Sequence, residues 1–272
     1  MMSPRLTAGR IVLVLVTLTA AGCGPQLPDF DADMESERQQ ELQHSEDPLL
    51  AALSEAGGDL RQGLEQAGAD LETDKAGHIT AIWFYRSELT DDGLELLINL
   101  PYLERLELQG CENLTDAGIA HLRRSLTLRW LAITKCDGIT PATLRSASRM
   151  DGLEGLYISH CTGFAGDVDL TPLKTMRSLR ELYLIGTGVT DARLRNLASL
   201  VNLQALGLNS PEVTDAGLKH LVPLTQLAEV NATGTQITKT GVSHLHRRLP
   251  GCRVIFDEPA TRPVEPVSSE EE

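Results

Sequence analysis

Residues 213–218, Val-Thr-Asp-Ala-Gly-Leu, recur along the chain with small changes. Close copies stand at 89–94 (Leu-Thr-Asp-Asp-Gly-Leu), 114–119 (Leu-Thr-Asp-Ala-Gly-Ile) and 189–194 (Val-Thr-Asp-Ala-Arg-Leu), and a weaker one stands at 237–242 (Ile-Thr-Lys-Thr-Gly-Val). Threonine is a good helix N-cap, and aspartate is favoured in the first turn because the N-terminal end of a helix is positive. Each copy therefore predicts the start of a short helix.

A triplet of apolar residues precedes each helix start, at positions 1, 4 and 6 of a repeat that is 24 to 26 residues long. Leu103, Leu106 and Leu108 form one such triplet. Because side chains alternate between the two faces of a strand, positions 4 and 6 lie on one face of a short strand. One strand and one helix cannot bury their apolar faces alone, so stacked repeats are expected to share a continuous core. The triplets start at residues 79, 103, 128, 153, 179, 203 and 227, and Cys252 with Ile255 is interpreted as a partial eighth.

These repeats resemble leucine-rich repeats, specifically the cysteine-containing subtype. The resemblance covers residues 79–256 and implies an α/β fold, a right-handed solenoid or horseshoe with a parallel sheet on its concave side and helices on its convex side. Two repeats depart from the pattern. Pro141 stands at the first helical position after Thr140, which a helix tolerates. The segment 162–170 has no Thr-Asp pair and is longer, so a local irregularity is expected there.

The first 22 residues (1–22) resemble a bacterial lipoprotein signal peptide. An apolar stretch of 11 residues, 11–21, follows two arginines, and its length is typical of a signal-peptide core. Cys23 comes directly after small residues, so the resemblance implies cleavage before Cys23 and acylation of its thiol. Ala20 departs from the pattern, because such signals usually have leucine three residues before the cysteine. An ordinary secretory signal is the alternative.

Acidic segments flank the repeats. Residues 24–48 carry eight acids against one arginine, and residues 257–272 carry six acids against one arginine, within a formal charge of −14 for the 272 residues. Low hydrophobicity and like charge predict a lipidated, extended tether at 23–48 and a disordered tail at 257–272. The remaining chain is nearly neutral, so no basic face indicates nucleic-acid binding. No apolar run approaches the length of a membrane span, which excludes a polytopic membrane protein.

Residues 49–78 are expected to cover the first repeat. Residues 49–67 have helical spacing of their leucines, and residues 69–72 and 78–82 have the composition of two strands joined by a turn. Because the terminal repeat of a solenoid needs a cover, this helix and hairpin are interpreted as the N-terminal cap.

Three cysteines repeat in register. Cys111, Cys136 and Cys161 each stand three residues after position 6. In leucine-rich repeats this site holds Asn or Cys, and the resemblance implies buried structural thiols that satisfy backbone groups in the loop leaving the strand. No disulfide is expected, because Cys23 is the expected lipid-attachment residue and Cys252 stands at position 1 of the partial eighth repeat. A metal site at Cys136, His160 and Cys161 is the alternative, although no Cys-x-x-Cys or His-x-x-x-His pair accompanies them.

No motif of enzymatic chemistry is present. The sequence lacks Gly-x-Ser-x-Gly, Ser-x-x-Lys, a glycine-rich phosphate loop and His-Glu-x-x-His, so no catalytic residue is assigned and no cofactor is expected. His121, His220 and His244 recur at one helical position and are interpreted as convex-surface residues. Some leucine-rich-repeat proteins are substrate-recognition arms of ubiquitin ligases, but no recognisable ligase module accompanies these repeats.

Strand positions 3, 5 and 7 are expected to point away from the core, onto the concave face. Five of the ten aromatic residues fall there, all in the first five repeats, and both tryptophans are among them. Exposed aromatic surface is costly in water, and Trp and Tyr dominate binding hot spots. The alternative is that the rings only pack on one another across the strands. The five candidate ligand-binding residues are Trp83, Tyr85, Trp130, Tyr157 and Tyr183.

These features favour a non-enzymatic binding scaffold. The leucine-rich repeats would be lipid-anchored outside the cytoplasmic membrane, on the periplasmic or outer-membrane side, and would recognise a protein, peptide or glycan on the concave face. The alternative is a structural envelope component that self-associates or contacts cell wall without one defined ligand. An enzyme is the least favoured class.

Overall fold

The computed structural model describes residues 48–258, so Cys23, the signal segment and almost all of both acidic segments lie outside the described residues. One sheet runs along the described part of the chain, with its strands side by side in sequence order. The first two strands pair antiparallel, and each later pair of neighbours is parallel. The strands are β1 Ala69–Thr73, β2 Ile79–Tyr85, β3 Arg105–Gln109, β4 Trp130–Thr134, β5 Gly155–Ser159, β6 Glu181–Ile185, β7 Ala205–Asn209, β8 Glu229–Asn231 and β9 Arg253–Ile255.

Short helical segments follow the strands and lie on the convex side, which gives the right-handed α/β solenoid of leucine-rich repeats. No helix between residues 48 and 258 is long and apolar enough to cross a membrane. The α-helices are α1 Pro48–Glu55, α2 Leu60–Gln66, α3 Asp91–Leu96, α4 Asp116–Leu122, α5 Thr143–Ala147, α6 Asp191–Leu194, α7 Asp215–Leu218 and α8 Lys239–His246, and 3-10 helices cover Leu97–Asn99, Thr162–Phe164, Thr171–Thr175, Arg195–Ser199 and Lys219–Leu221.

Positions 4 and 6 of the strands point into the core, as the alternation predicts. In β3, Leu106 and Leu108 are fully buried, whereas Arg105 is exposed. The buried side chains form one cluster that runs the length of the described repeats, and Phe84 and Phe164 are its largest members. Stacking therefore gives each repeat an apolar contact on both sides, which a single repeat cannot provide.

The helix expected over residues 49–67 is interrupted, and this part of the prediction is wrong. Gly57 and Gly58 have φ of +62° and +86°, and a right-handed helix cannot continue through such residues. The chain forms α1 and α2 instead, with Leu49 and Leu64 fully buried against the first repeat. β1 follows α2 and pairs with β2 as a hairpin.

Aspartates at the helix starts bind the next repeat. Asp91, the first residue of α3, accepts hydrogen bonds from the backbone N–H of Thr115 at 2.9 Å and from its hydroxyl at 2.6 Å. Oγ1 of Thr115 also accepts from the N–H of Ala117 at 3.2 Å, so Thr115 caps α4 as predicted. We name the set of these contacts the Asp–Thr seam. Its pairs are Asp91–Thr115, Asp116–Thr140, Asp191–Thr214 and Asp215–Thr238.

The glycine of the Thr-Asp-Ala-Gly motif faces the seam aspartate of the preceding repeat. A Cβ atom on Gly118 would lie 2.3 Å from Oδ1 of Asp91, and one on Gly217 would lie 2.3 Å from Oδ1 of Asp191. An alanine at either glycine would therefore force the carboxylate to shift. Thr143 occupies the glycine position of its own repeat without loss of the seam, because its buried hydroxyl donates to Asp116, which still accepts from Thr140. The motif is therefore a property of two neighbouring repeats rather than of one helix start.

The irregular repeat lacks the Thr-Asp pair of the seam, and the repeat after it lacks the glycine. Residues 162–170 have no Thr-Asp pair, and 3-10 turns replace the α-helix there, so the expected irregularity is present. In the following repeat Arg193 occupies the glycine position and makes ion pairs with Asp167 and, at 3.6 Å, with Asp169. Thr190 makes no side-chain cap hydrogen bond. The arginine thus bridges the interruption that the missing carboxylate leaves.

The last repeat is one residue shorter than the sequence spacing suggested. Cys252 is buried as expected for position 1. Val254, not Ile255, is the register partner of the buried Val230, so the assignment of Ile255 to position 4 is wrong. Only one residue, Arg253, separates Cys252 from Val254, whereas two residues separate positions 1 and 4 in the other repeats. Arg253 therefore pairs with Glu229 of β8.

Candidate functional site

The concave face carries rows of side chains that run across the parallel strands. Residues at one strand position are register partners, so each position forms a row. The position-5 row contains Trp83, Glu107, Ala132, Tyr157, Tyr183, Gly207 and Asn231. The position-3 row contains Ala81, Arg105, Trp130, Gly155, Glu181, Ala205 and Glu229.

Three of the five predicted aromatic residues surround one hollow. Trp130, Tyr157 and Tyr183 line a cavity of about 360 Å³ on the concave face, together with Ala132 and Arg105. The small alanine stands between larger neighbours in the position-5 row, so the hollow exists because its side chain is short. We name this cavity the aromatic hollow.

The indole of Trp130 is held on two sides. The guanidinium carbon of Arg105 lies 5.4 Å from the centroid of the ring, within the range of a cation–π contact. On the side of the next strand the ring covers Gly155, where a Cβ would lie 2.5 Å from Cε3 of the indole. Trp130 therefore has its position fixed before any ligand arrives, which lowers the entropy cost of binding.

The two tyrosines of the hollow pack on each other. The rings of Tyr157 and Tyr183 are stacked, with centroids 4.7 Å apart and planes 6° from parallel. The hydroxyl of Tyr157 donates a hydrogen bond to Glu181, and Tyr183 covers Gly207. Cross-strand packing, the alternative for these aromatics, thus accounts for one face of each tyrosine ring. The same packing makes a rigid wall of the hollow.

Trp83 and Tyr85 lie outside the aromatic hollow, on β2. Trp83 is half-buried, and Tyr85 is 47% exposed. Their neighbours include two carboxylates, because Asp70 of β1 and Glu107 of β3 are the register partners of Trp83. The pKa of Tyr85 is raised by burial and by the negative charges of Glu107 and Asp70. The five predicted residues therefore form two groups.

The concave residues of β7 and β8 are small, or their polar groups already form hydrogen bonds within the protein. Nδ2 of Asn209 donates to the carbonyl oxygen of Thr233 at 2.9 Å, and Oδ1 of Asn231 accepts from the N–H of Thr233 at 3.1 Å. Ala205 and Gly207 present little side chain. This end of the sheet has less surface to offer a ligand than β2 to β6.

The cysteine ladder makes hydrogen bonds to backbone carbonyls. Sγ of Cys136 donates to the carbonyl oxygens of Leu108 at 3.6 Å and Thr134 at 3.5 Å. Cys161 makes the equivalent bonds one repeat later, and Cys111 donates to Gln109 at 4.0 Å. All three thiols are free and buried. Sequence spacing missed Ser210, which is buried one residue earlier than the ladder position of its repeat.

The environments of Cys136 and Cys161 disfavour the thiolate, whereas the hydrogen bond from Cys136 lowers the pKa of Cys111. Burial raises the pKa of the Cys161 thiol to about 11. The contact with Cys111 and burial both raise the pKa of Cys136. Because the thiolate is the reactive and metal-binding form, neutral buried thiols suit a structural role.

His160, the third residue of the alternative metal site, does not join the two cysteines. It is exposed, has φ of +52°, and its Nδ1 lies 2.7 Å from Oγ of Ser159. Across residues 48–258, no group of three or more His, Cys, Asp or Glu is placed to hold a metal ion. On the helical side, Nδ1 of His121 lies 3.7 Å from Glu95.

Three solved structures of low sequence identity are similar to this chain. Human 5T4 (Wnt-activated inhibitory factor 1, trophoblast glycoprotein) is similar with a TM-score of 0.50 and 17% identity, over 69% of this chain and 79% of that chain. Internalin C2 of Listeria monocytogenes has a TM-score of 0.49 and 20% identity, over 77% of this chain and 92% of that chain. Internalin F of the same organism has a TM-score of 0.49 and 20% identity, over 84% of this chain and 63% of that chain. No family model matches the sequence, and a search of curated proteins finds no match.

Proposed function

We propose that this protein is a non-enzymatic binding module whose concave face recognises a protein or peptide partner. The observation that carries the proposal is the aromatic hollow, in which Trp130, Tyr157 and Tyr183 line a cavity of about 360 Å³ in an otherwise regular sheet. Trp and Tyr are the residues most enriched in binding hot spots, where they occupy central, desolvated positions. Arg105 and Glu107 at its border add polar contacts that orient a ligand.

The dimensions of the hollow suit a short segment of polypeptide. Neighbouring strands lie about 4.8 Å apart, so the hollow, which extends from β3 to β6, spans about 14 Å. That distance corresponds to about four residues of extended chain. A larger partner would insert one loop or side-chain cluster there and contact the rest of the concave face around it.

The proposal includes attachment to the cell envelope through Cys23. The sequence supports this step, since an apolar stretch at 11–21 directly precedes small residues and the cysteine. A lipid anchor followed by an acidic tether at 23–48 would hold the repeats outside the cytoplasmic membrane, on the periplasmic or outer-membrane side. Cys23→Ser is expected to leave an unprocessed precursor that no longer incorporates labelled palmitate, and normal labelling of that variant would remove the anchor from the proposal.

Site-specific photocrosslinking in the native envelope tests the binding surface. A photoreactive aromatic amino acid replaces Thr134, which lines the hollow, or Arg145, which is exposed on α5 on the convex side. We expect a defined partner chain to crosslink from position 134 but not from position 145. Equal crosslinking from both positions, or none from position 134, would contradict the proposal. A carbohydrate adduct at position 134 would identify a glycan instead of a protein.

A further inference from the structure

The N-terminal end of the concave face combines aromatic side chains with unpaired carboxylates. Trp83 stands between Asp70 and Glu107 in one row that crosses β1, β2 and β3. Asp70 is exposed and Glu107 is half-buried. Within the described residues neither carboxylate has an ion-pair partner. With Tyr85 these residues define what we name the acidic end of the concave face.

The charge of the whole concave face has the same sign. Five acids point to this side, and the two arginines there are already engaged. Arg253 lies 3.7 Å from Glu229, and Arg105 lies over the ring of Trp130. Five acids against two arginines leave a net charge of −3 on this face, and neither arginine forms an ion pair with Asp70 or Glu107 within the described residues. The five acids are Asp70, Glu72, Glu107, Glu181 and Glu229.

Burial and the carboxylates of the concave face raise the pKa values of two tyrosines on the same face. Burial and then the charges of Glu107 and Asp70 raise the pKa of Tyr85. Burial and then the charges of Glu181 and Glu229 raise the pKa of Tyr183, four strands further along the sheet. The carboxylates thus act on the same surface that the aromatic residues line.

We propose that the partner places a basic segment, with arginine or lysine side chains, on the acidic end of the concave face at Asp70, Trp83 and Glu107. This inference rests on the proposed function and specifies the chemistry of its partner. A cationic side chain there would interact with two carboxylates and with the face of an indole or phenol ring, and both interactions strengthen as water leaves the interface. Such a segment would continue across the strands into the aromatic hollow.

Charge complementarity argues against an occupant from this protein itself. The two segments that lie almost entirely outside the described residues are acidic, with eight acids against one arginine at 24–48 and six against one at 257–272. A second copy carries the same net charge of −14. Like charges repel across an interface, so a basic external partner fits better than a tail or a second molecule of this chain.

Binding of a defined peptide pair tests the inference. The probes are fluorescein-labelled peptides of about twelve residues in which arginine or glutamine alternates with serine, long enough to cross the sheet. Fluorescence anisotropy is measured with the full chain in non-ionic detergent at about 0.05 M and about 0.5 M salt. The arginine peptide is expected to bind more tightly than the glutamine peptide, and to weaken at high salt.

Isosteric variants locate the binding site of the arginine peptide. Asp70→Asn with Glu107→Gln removes both carboxylates without changing side-chain size, and should weaken binding about tenfold. Glu112→Gln removes one charge from an exposed loop outside the concave face, so it is the charge-matched control for Asp70→Asn alone, and it should change binding less than about twofold. Since Asp70 is exposed, Asp70→Asn alone serves as a second variant that leaves the fold unchanged by circular dichroism.

Three results would overturn the inference. These are equal affinity for the arginine and glutamine peptides, no binding of the arginine peptide, and equal binding to the double variant and the Glu112→Gln control. The crosslinking experiment distinguishes a failure of the basic-segment inference from a failure of the proposed binding function. A partner that crosslinks at position 134 through a segment without arginine or lysine contradicts the basic-segment inference alone. Absence of any crosslink at position 134 contradicts the binding proposal itself.

Discussion

The Asp–Thr seam and the concave face use the same backbone repeat in opposite ways. In the seam the same residue types return, and their polar groups bind one another, as with Asp91 and Thr115 at 2.6 and 2.9 Å. On the concave face the residue at a given strand position differs from repeat to repeat, so that Trp83, Ala132 and Gly207 share one row. Repetition in this chain therefore marks residues that hold the solenoid together. Variation on the regular sheet marks the surface that is available for recognition.

The Asp–Thr seam is interrupted at the irregular repeat, and other polar contacts replace it there. Residues 162–170 lack the Thr-Asp pair. In the next repeat Arg193 stands at the position where the motif has glycine. The arginine binds Asp167 and Asp169 instead. Thr143 also replaces the glycine, and its hydroxyl donates to Asp116 of the preceding repeat. Both side chains that replace the glycine therefore make a polar contact with the neighbouring repeat.

Gly118→Ala is expected to have the largest effect on stability among these predictions. The added Cβ would lie 2.3 Å from Oδ1 of Asp91 and force the carboxylate away from Thr115. Overpacking of this kind costs about 1–3 kcal/mol of unfolding free energy, measured by urea denaturation. Gly251→Ala is the matched control, since a Cβ there meets no atom within 4 Å. A loss no larger than that of the control would show that a Cβ at position 118 does not disturb the contact between Asp91 and Thr115.

Asp91→Ala should cost about 1–2 kcal/mol, because the backbone N–H and hydroxyl of Thr115 lose their acceptor. The same change removes the carboxylate that a Cβ on Gly118 would strike. The double variant Asp91→Ala with Gly118→Ala should therefore be less destabilised than the sum of the two single variants. Simple additivity in this double-mutant cycle would contradict the two-repeat interpretation of the motif.

Cys136→Ala should cost about 1 kcal/mol, through loss of a small buried group and of weak hydrogen bonds to Leu108 and Thr134. Reducing agent should leave the melting temperature of the unmodified protein unchanged, because the thiols at 111, 136, 161 and 252 are free. Calorimetry with and without reductant measures both effects. A drop of several degrees in reductant would require a disulfide and would refute the role given to the ladder.

Gly155→Ala should change stability least but displace the indole of Trp130. The new Cβ would lie 2.5 Å from Cε3 of the ring and would push the ring out of the position that Arg105 and Gly155 define, toward the solvent on the concave side. We expect a loss below about 1 kcal/mol together with a shift of the Trp emission spectrum. Comparison with the same change in a Trp83→Phe background assigns the shift to Trp130, because the chain has only two tryptophans. An unchanged spectrum would mean that the ring does not cover Gly155.

Features that arise within one repeat, such as core positions and helix starts, could be predicted from the sequence. Contacts between two stacked repeats could not. Apolar spacing places Leu106 and Leu108 in the core, and the Thr-Asp pairs mark the helix starts, because both signals are local. The seam was missed, since Asp91 and Thr115 meet only when repeats stack. Only a partial signal was present. Arg193 replaces the motif glycine in the repeat that follows the loss of Thr-Asp at 162–170, but Thr143 replaces it after a repeat that keeps Thr-Asp.

The candidate site shows the same limit. Alternation along the strands placed the five aromatics on one face, but not which of them surround a common hollow. That depends on register, which puts the small Ala132 beside Tyr157. Asp70 was missed because it lies in the cap hairpin, outside the repeat pattern, and reaches Trp83 only through antiparallel pairing. The break at Gly57 and Gly58 was missed because leucine spacing continues on both sides of it.

The most direct test of the concave-face account is the affinity for the partner captured at position 134. Trp130→Ala with Tyr157→Ala should weaken that affinity by about 100-fold or more, as loss of hot-spot side chains does, while circular dichroism shows an intact fold. Asn209→Ala with Asn231→Ala, at the small and internally bonded end of the same face, should weaken it less than about threefold. If the aromatic variant keeps its affinity and the asparagine variant loses it, the binding surface lies at the C-terminal strands and the account is wrong.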